Sequence, residues 1–280
     1  MVVQAEEGRL IAAVGPRVLV ATAVPAERDA VARAFAGSFR ELRLPGAVLH
    51  RLSPTGGMTA ADLTAADPTA AGESPAGESP ADPTVVDLTA VGVGPAVAGA
   101  RTAAALTAAA LDGAPYTLVV SAGIAGGFQP AAPVGSLVVA DRITAADLGA
   151  ETAQGFVPVT ELGFGTVTHR PPDSLVRDLA RVTGARTGEV LTVSTVTGTA
   201  ERAERLRARH PDALAEAMEG FGVAEAAAAH GVPVVEIRAV SNPVGPRDRA
   251  AWRIADALAA LTDGFGKLVP VLESWNKHDQ

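Results

Sequence analysis

Two polar side chains stand at the ends of neighbouring apolar segments in the second half of the chain. Glu219 follows the apolar segment 214–218, and Asn242 follows the apolar segment 232–240. Both segments are predicted strands, and ligands bind at the carboxyl ends of strands in α/β sheets. The pair therefore predicts a polar floor for one ligand. Taken singly, Glu219 could instead interact with a helix dipole, and Asn242 could form an Asx-turn before Pro243.

Glu27 is a third candidate for chemistry. It follows the first apolar run, 17–22, and opens a helical pattern in which Pro25 fits an early position. A glutamate can serve as a general base when burial or neighbouring charges raise its pKa towards the working pH. The alternative is an exposed glutamate in the first turn of a helix.

A glycine-rich segment, 122–128, follows the predicted strand 117–121. Glycines let backbone amides approach a ligand closely, so this segment is predicted to be a binding loop. A dinucleotide site is the alternative, but the Gly-x-Gly-x-x-Gly spacing after the first strand is missing. Another strand end, 193–198, offers either a ligand wall or a helix N-cap at Thr197 or Thr199.

Strand and helix patterns alternate along the chain, which predicts an α/β fold with a mostly parallel, helix-covered sheet in a single domain. Asp173 is the predicted N-cap of one helix, and Gly231 is predicted to close another. The predicted strands are 17–22, an edge strand at 44–52, 85–91, 117–121, 137–143, 188–195, 214–218 and 232–240. The predicted helices are 24–35, 95–111, 173–183, 199–209, 219–230 and 249–273.

Two regions lie outside this alternation. Residues 1–16 form an N-terminal extension without the features of a signal peptide, and residues 17–280 form the domain. Residues 53–83 are rich in Ala, Thr, Asp, Gly and Pro and contain a short tandem repeat at 71–81. Such a segment buries too little apolar surface to offset its ordering entropy, so it is predicted to be a disordered or loosely packed surface insertion.

The bulk composition excludes several classes of function. The formal net charge is −8, which disfavours binding to nucleic acid or to an anionic membrane. No run reaches the ~20 apolar residues of a membrane span, and we expect a soluble cytoplasmic protein. There is no cysteine, and the five histidines have no metal-ligand spacing. Neither Ser194 nor Ser241 has the Gly-x-Ser-x-Gly setting of a serine hydrolase.

The pair Met218–Glu219, the glycine-rich segment and the pair Ser241–Asn242 together resemble the purine nucleoside phosphorylase and nucleosidase superfamily. The resemblance covers most of residues 17–272 and implies a nucleoside phosphorylase-like fold. It implies that Met218 and Glu219 hold the ribose hydroxyls. It also implies that Glu27 directs the attacking water and that Asn242 contacts the purine. The other substrate-binding residues that it implies are Ala125, Gly126, Val196 and Thr197.

Asn242 is the residue that discriminates between bases. Members of the superfamily that act on 6-aminopurines usually carry Asp here, whereas those that act on 6-oxopurines tend to carry Asn. An amide can accept from N7–H and donate to O6 of a leaving hypoxanthine. In the reversed orientation the amide also matches adenine.

Within the superfamily, residues 241–252 are most similar to the futalosine hydrolases. That resemblance implies hydrolysis of a 5′-modified 6-oxopurine nucleoside, futalosine, with release of hypoxanthine for menaquinone biosynthesis. It implies no metal, no organic cofactor and a homo-oligomer. The tail of this substrate ends in a carboxylate, for which Arg247 or Arg249 is the expected partner. Phe128, Phe156 and Phe164 are candidates for the apolar wall, although each also suits the core.

Three alternatives stay open. A phosphorylase would need a phosphate site, for which Arg17, Arg28 and Arg101 are possible ligands. A nucleosidase for methylthioadenosine or adenosylhomocysteine would share most of the site. A non-catalytic purine-binding protein would have no need for Glu27, Glu219 and Asn242 together.

Overall fold

The computed structural model describes residues 16–54 and 84–275. The predicted disordered insertion and the N-terminal extension thus lie almost entirely outside the described residues. Twelve strands and six α-helices are present within these described residues. The strands are β1 (Arg17–Thr22), β2 (Gly37–Leu44), β3 (Ala47–Pro54), β4 (Val85–Ala90), β5 (Leu118–Gly127), β6 (Leu137–Ala145), β7 (Gly149–Thr152), β8 (Gly155–Pro158), β9 (Thr168–His169), β10 (Arg186–Thr192), β11 (Ala213–Ala217) and β12 (Val234–Pro243). The helices are α1 (Pro25–Ala32), α2 (Pro95–Leu111), α3 (Asp173–Thr183), α4 (Ala200–Arg209), α5 (Gly220–Ala229) and α6 (Ile254–Ser274).

One large mixed sheet forms the centre of the molecule. Its strand order is β11-β10-β6-β12-β5-β1-β4-β3-β2, and β9 pairs with β6. The pairings β4–β1–β5–β12 and β6–β10–β11 are parallel, whereas β12 and β6 are antiparallel. Because β11 also pairs with β5, strands β5, β12, β6, β10 and β11 close into a small barrel. The predicted α/β class with a central, helix-covered sheet is confirmed.

Helices cover both faces of the sheet because each buries one apolar stripe. Helices α2 and α5 contribute alanines, Leu106 and Val223 to one cluster, while α1, α3 and α6 contribute Val31, Leu179 and Phe265 to the other. The α2–α5 contact is close enough to involve backbone. A Cβ on Gly222 would collide with the carbonyl oxygen of Pro95, so only glycine fits at this helix crossing.

Several element predictions are wrong in detail. The segment 44–52 is not an edge strand, because β3 lies between β4 and β2, and β2 is the edge. Asp173 is the first residue of α3, and Pro172 takes the N-cap position. The last helix begins at Ile254 after a short 3₁₀ turn. By contrast, Thr199 caps α4 by accepting a hydrogen bond from the Arg202 amide, and Gly231 has φ = +64° just after α5.

The largest correction concerns residues 122–127, which are the second half of β5 and not a loop. The glycines there make room for side chains from other elements. A Cβ on Gly123 would lie 2.7 Å from Arg238 Nη1 and 2.7 Å from Glu27 Oε1. The glycines thus allow β5 to pack closely against charged side chains. The need for glycine comes from tertiary contacts, which the local sequence does not show.

Candidate active site

Glu27 lies in the first turn of α1 and is buried, with 4% of its surface exposed. Its Oε2 accepts hydrogen bonds from the amides of Ala23 (2.9 Å) and Val24 (3.2 Å). Its Oε1 accepts from the amide of Ile124 on β5 (2.8 Å). Burial raises the pKa of Glu27, and the nearby charge of Arg238 and the backbone donors offset only part of that effect. The alternative of an exposed helical glutamate is therefore wrong.

Glu219 occupies the N-cap position of α5, two residues after the end of β11. The amide of Gly94 donates to its Oε1 (3.3 Å), and the amide of Met218 donates to its Oε2 (3.3 Å). Arg238 Nη1 lies 3.4 Å from the same Oε2. Three different segments thus hold this carboxylate. Met218 lies beside Glu219 because the two residues are adjacent in sequence.

Arg238 links these carboxylates, and the sequence analysis missed it. It lies on β12 with 1% of its surface exposed. Its Nε donates to Glu236 Oε1 (2.8 Å), and its Nη2 donates to Ser121 Oγ (3.2 Å). Burial lowers the pKa of Arg238, but the carboxylates of Glu236, Glu219 and Glu27 outweigh burial and raise it. Two charged residues inside the apolar run 232–240 were the signal that could have identified this group.

Glu236 adds a third carboxylate to the same cluster. It is fully buried, and burial raises its pKa although Arg238 opposes that rise. Within the described residues its Oε2 has no hydrogen-bond partner. A Cβ on Gly220 would collide with this carboxylate, so the first residue of α5 has to be glycine. The charge cluster, defined as Glu27, Glu219, Glu236 and Arg238, therefore has three carboxylates for one guanidinium.

Asn242 lies on β12, four residues beyond Arg238. Its Oδ1 accepts from Ser241 Oγ (2.9 Å), and its Nδ2 donates to the Pro243 carbonyl (2.9 Å). Ser241 Oγ also lies 3.2 Å from the carbonyl oxygen of Ala125, which places Ala125 behind the amide. The amide nitrogen faces β5, since a Cβ on Gly126 would be 3.4 Å from Nδ2.

A cavity of about 80 Å³, here called the amide cavity, joins Asn242 to other predicted site residues. Five predicted residues line it: Gly126, Val196, Thr197, Asn242 and Arg247. Glu27, Glu219, Met218 and Ala125 do not line it. Strands β5 and β12 run from the charge cluster to the amide cavity, so the two parts lie at successive positions on the same two strands.

Trp252 forms the outer wall of the amide cavity together with the loop after β12. The guanidinium carbons of Arg247 and Arg249 lie 5.4 Å and 5.8 Å from the centre of its ring. Phe128 is instead buried in the core, and Phe164 is exposed. The guanidinium carbon of Arg209 lies 4.5 Å from the centre of the Phe156 ring. The three phenylalanines are therefore not part of this wall.

A larger cavity of about 540 Å³ lies against α2 and α5. It is lined mainly by small apolar residues, with the carboxylates of Asp147 and Glu225 at its edge. None of the predicted site residues lines it. Because its charged groups are acidic, it does not suit an anionic substituent.

The arginines considered for phosphate have different surroundings. Arg17 is paired with Asp87 (3.1 Å), and Arg28 is paired with Asp29 (2.7 Å) and lies 2.9 Å from His50. Arg101 is exposed on α2. Within residues 16–54 and 84–275 no cluster of metal-ligating side chains was found, and no helix there is long and apolar enough to cross a membrane.

Comparison with known proteins identifies the family. Residues 82–265 match the model of the phosphorylase superfamily. The chain is 67% identical to a futalosine hydrolase of Streptomyces coelicolor, over 94% of this chain and 99% of that protein. The chain belongs to the futalosine hydrolase family. A futalosine hydrolase of Thermus thermophilus is 38% identical over 52% of this chain and 67% of its own length.

Solved structures of family members and of related nucleosidases have the same fold. A mutant futalosine hydrolase of Helicobacter pylori aligns with a TM-score of 0.70 at 17% identity, over 91% of this chain and 99% of that chain. A methylthioadenosine nucleosidase mutant of the same organism aligns with a TM-score of 0.69 at 18% identity, over 92% of this chain and all of that one. The predicted nucleoside phosphorylase-like fold is thus confirmed.

Proposed function

We propose that this chain hydrolyses the N-glycosidic bond of futalosine, releasing hypoxanthine. Near-full-length similarity to a futalosine hydrolase supports the substrate. The observation that carries the hydrolytic chemistry is the charge cluster, in which Glu27 and Glu219 face one buried guanidinium. A buried glutamate with a raised pKa is suited to accept a proton from water.

Each carboxylate has a separate part in this mechanism. Glu219 accepts hydrogen bonds from the ribose hydroxyls and stabilises the positive charge that develops on the sugar as the bond to the base breaks. Glu27 takes a proton from the water that attacks C1′. The oxygen of that water bonds to C1′, and the base leaves with the electrons of the C1′–N9 bond. The base takes up a proton at N7 from solvent, and Glu27 releases its proton to solvent, so that one water is consumed overall.

Asn242 contacts the leaving base in the proposed complex. Its Oδ1 would accept from N7–H and its Nδ2 would donate to O6, so the amide would exchange part of its present bonding to Ser241 and Pro243 for the base. Arg247 and Arg249 lie beside Trp252 on the outer wall of the amide cavity. We propose that this arginine and tryptophan group receives the aromatic carboxylate of the substrate tail.

We also propose a pathway, a compartment, an assembly state and domain bounds for this chain. The reaction would supply menaquinone biosynthesis, in the cytoplasm, and the enzyme would act as a homo-oligomer without a metal or cofactor. The domain would comprise residues 17–280, with the segment 53–83 as an insertion between two neighbouring strands.

The deciding assay measures base release from a nucleoside panel with and without inorganic phosphate. We expect hypoxanthine from futalosine at a rate that does not depend on phosphate, together with a free reducing sugar. Formation of a sugar 1-phosphate would establish a phosphorylase. Faster release of adenine from methylthioadenosine would establish the other nucleosidase activity.

Asn242→Asp tests the base assignment. An ionised Asp offers only acceptors and repels O6, whereas a protonated Asp suits the N7 and amino edge of adenine. A mispaired buried polar group costs about 1–3 kcal/mol, so hypoxanthine release should fall about tenfold or more relative to adenine release. The comparison uses kcat/KM for two bases with the same 5′ group. An unchanged ratio would show that Asn242 does not recognise the base.

A further inference from the structure

Glu236 is the member of the charge cluster that the mechanism above does not use. It lies on β12 with none of its surface exposed, and its carboxylate packs against the backbone of Gly220 at the start of α5. Its Oε1 accepts a hydrogen bond from Arg238 Nε (2.8 Å), and within the described residues its Oε2 has no hydrogen-bond partner. An ionised carboxylate is costly to bury, so the charge of Glu236 depends on this one guanidinium.

The three carboxylates of the cluster differ in the donors that share their charge. Glu27 accepts hydrogen bonds from three backbone amides, and Glu219 accepts from two. Among the described residues, Glu236 accepts only from Arg238. The contact of Arg238 with Glu236 (2.8 Å) is also shorter than its contact with Glu219 (3.4 Å). Arg238 is therefore paired more closely with Glu236 than with the carboxylate assigned to the ribose.

The guanidinium of Arg238 has two opposite effects on the proposed reaction. Its positive charge favours the ionised form of Glu27, which the general base requires. The same charge repels the positive charge that develops on the ribose as the glycosidic bond breaks. Such repulsion is strong in a site that is shielded from water. A carboxylate bound to the far side of the guanidinium reduces the repulsion without removing the group.

We propose that Glu236 is a positioning residue whose carboxylate neutralises and orients Arg238, so that Glu219 keeps its negative charge for the ribosyl cation. The inference rests on the proposed function for the presence of a ribose beside Glu219. In this arrangement Glu236 holds Nε of Arg238, Ser121 Oγ holds Nη2 (3.2 Å), and Nη1 points to Glu219. Glu236 acts through the guanidinium and needs no contact with the substrate.

The acid limb of the pH profile is the first test. The charged groups around Glu236 are Arg238 on the same strand and Glu219 at the start of α5, and Glu27 of α1 acts on the same guanidinium. Glu236→Gln keeps an acceptor for Arg238 Nε but removes one negative charge. The less compensated guanidinium then favours ionised Glu27 more strongly, so the acid limb of kcat/KM should move to lower pH. A limb that stays in place or moves to higher pH would contradict the proposal.

Equilibrium binding of two unreactive nucleosides tests the charge without turnover. Both carry 9-deazahypoxanthine through a carbon–carbon bond, but one has a neutral ribose and the other a protonated 1,4-iminoribitol ring. The wild type should bind the cationic compound about tenfold or more tightly, and Glu236→Gln should lower this ratio of affinities about tenfold. A wild-type ratio in a folded Glu236→Gln variant would overturn the proposal.

Glu189→Gln is the matched control for loss of a buried carboxylate. Glu189 is also buried, but it lies on β10 with its carboxylate 3.4 Å from His210 Nδ1. The control should leave the acid limb and the ratio of affinities unchanged, and chemical denaturation should show that each variant is folded. A change in the control as large as that in Glu236→Gln would mean that loss of any buried carboxylate has this effect.

Arg238→Gln provides a second background in which the guanidinium is absent. If Glu236 acts through Arg238, Glu236→Gln should change the ratio of affinities by less than about twofold in this background. An equal effect of Glu236→Gln with and without Arg238 would show that the carboxylate acts independently of the guanidinium, which the proposal excludes.

The two readouts separate this inference from the proposed function. If futalosine is not hydrolysed but Glu236→Gln lowers the ratio of affinities for the two analogues, the proposed reaction fails and Glu236 keeps its role. If futalosine is hydrolysed and the ratio in the variant is that of the wild type, the reaction stands and Glu236 serves only packing.

Discussion

Two buried groups of charged side chains in the described part of the chain have opposite ratios of acid to base. One surrounds Asp87, which accepts hydrogen bonds from Arg17 (3.1 Å), from Arg51 (2.9 and 2.8 Å) and from Tyr116 (2.6 Å). The other is the charge cluster of the candidate active site. Asp87 has two guanidinium groups for one carboxylate, whereas the charge cluster has three carboxylates for one guanidinium.

The pKa directions follow this difference in partners. Burial opposes ionisation of Asp87, but the hydrogen bonds from Arg51 and Tyr116 outweigh it and hold the pKa of Asp87 below its usual value. At Glu27 and Glu236 burial dominates and the pKa of each is raised. A carboxylate that serves stability is fully paired, and one that serves chemistry keeps capacity for a proton or a ligand.

The largest expected effect is on stability, from Asp87→Asn. Removal of one partner from a buried ion pair costs about 3–5 kcal/mol, because the other charges stay buried. Chemical denaturation should show that loss at neutral pH, with kcat of the folded enzyme unchanged.

The pH dependence provides the control for Asp87. Its folded pKa lies below the unfolded value of about 3.9, so its contribution is complete above pH ~4 and is lost as the pH falls through the folded pKa. The difference between variant and wild type should therefore narrow in acid. A constant difference would mean that packing, and not charge, is lost.

Glu219→Gln should reduce activity strongly and stability only slightly, the opposite of Asp87→Asn. The variant loses a charge that is needed mainly in the transition state, so kcat should fall about 10²–10³-fold. Arg238 keeps Glu236 as its closest partner, and the free energy of unfolding should change less than in Asp87→Asn. Activity and denaturation measured on one preparation would test both parts. Wild-type turnover in a folded variant would reject the role in ribose binding.

The raised pKa of Glu27 predicts a smaller effect, on the pH profile. A general base must be ionised, so a raised pKa moves the acid limb of kcat/KM above the ordinary glutamate value of 4.5. The experiment is a pH titration of futalosine hydrolysis with a parallel check of folding at each pH. An acid limb at or below 4.5 would show that Glu27 is not the titrating group.

Deletion of residues 55–83 should have the smallest effect. The flanking strands β3 and β4 are antiparallel neighbours, with Leu52 paired to Val86, so their ends are already close. A short Asn-Gly turn can join them, and the entropy of loop closure changes by only about 0.6 kcal/mol for each doubling of loop length. Thermal unfolding should therefore be nearly unchanged. A large drop in the melting temperature would show that the segment packs against the domain.

The sequence predicted those parts of the fold that depend on local pattern. The alanine-rich helix α2 was placed correctly, and Glu219 and Asn242 were expected at strand ends because each follows an apolar run. Strand β2 was missed because most of its residues are exposed and give no clear alternation.

The parts that were missed depend on partners distant in sequence. Glu236 and Arg238 lie inside a buried strand, where a charge alone does not reveal what it contacts. Residues 122–127 were wrongly predicted to be a loop for the same reason. The side chains of Glu27 and Arg238 require a glycine at position 123, and the sequence does not show that these side chains lie there. The sequence pattern therefore located the polar residues at strand ends better than the charged residues inside buried strands.

The backbone contact between α2 and α5 limits how this enzyme can be made more heat-resistant. Replacing helical glycines with alanine is a common engineering route and gains about 0.4–1 kcal/mol where the backbone permits it. Gly266, exposed on α6 with open space around its Cα, suits that route. At Gly222 the added methyl group would push α5 away from Pro95, and α5 begins at the residue after Glu219. A thermostability library that treats the two glycines alike would therefore lose active variants at Gly222, a position that does not line the amide cavity.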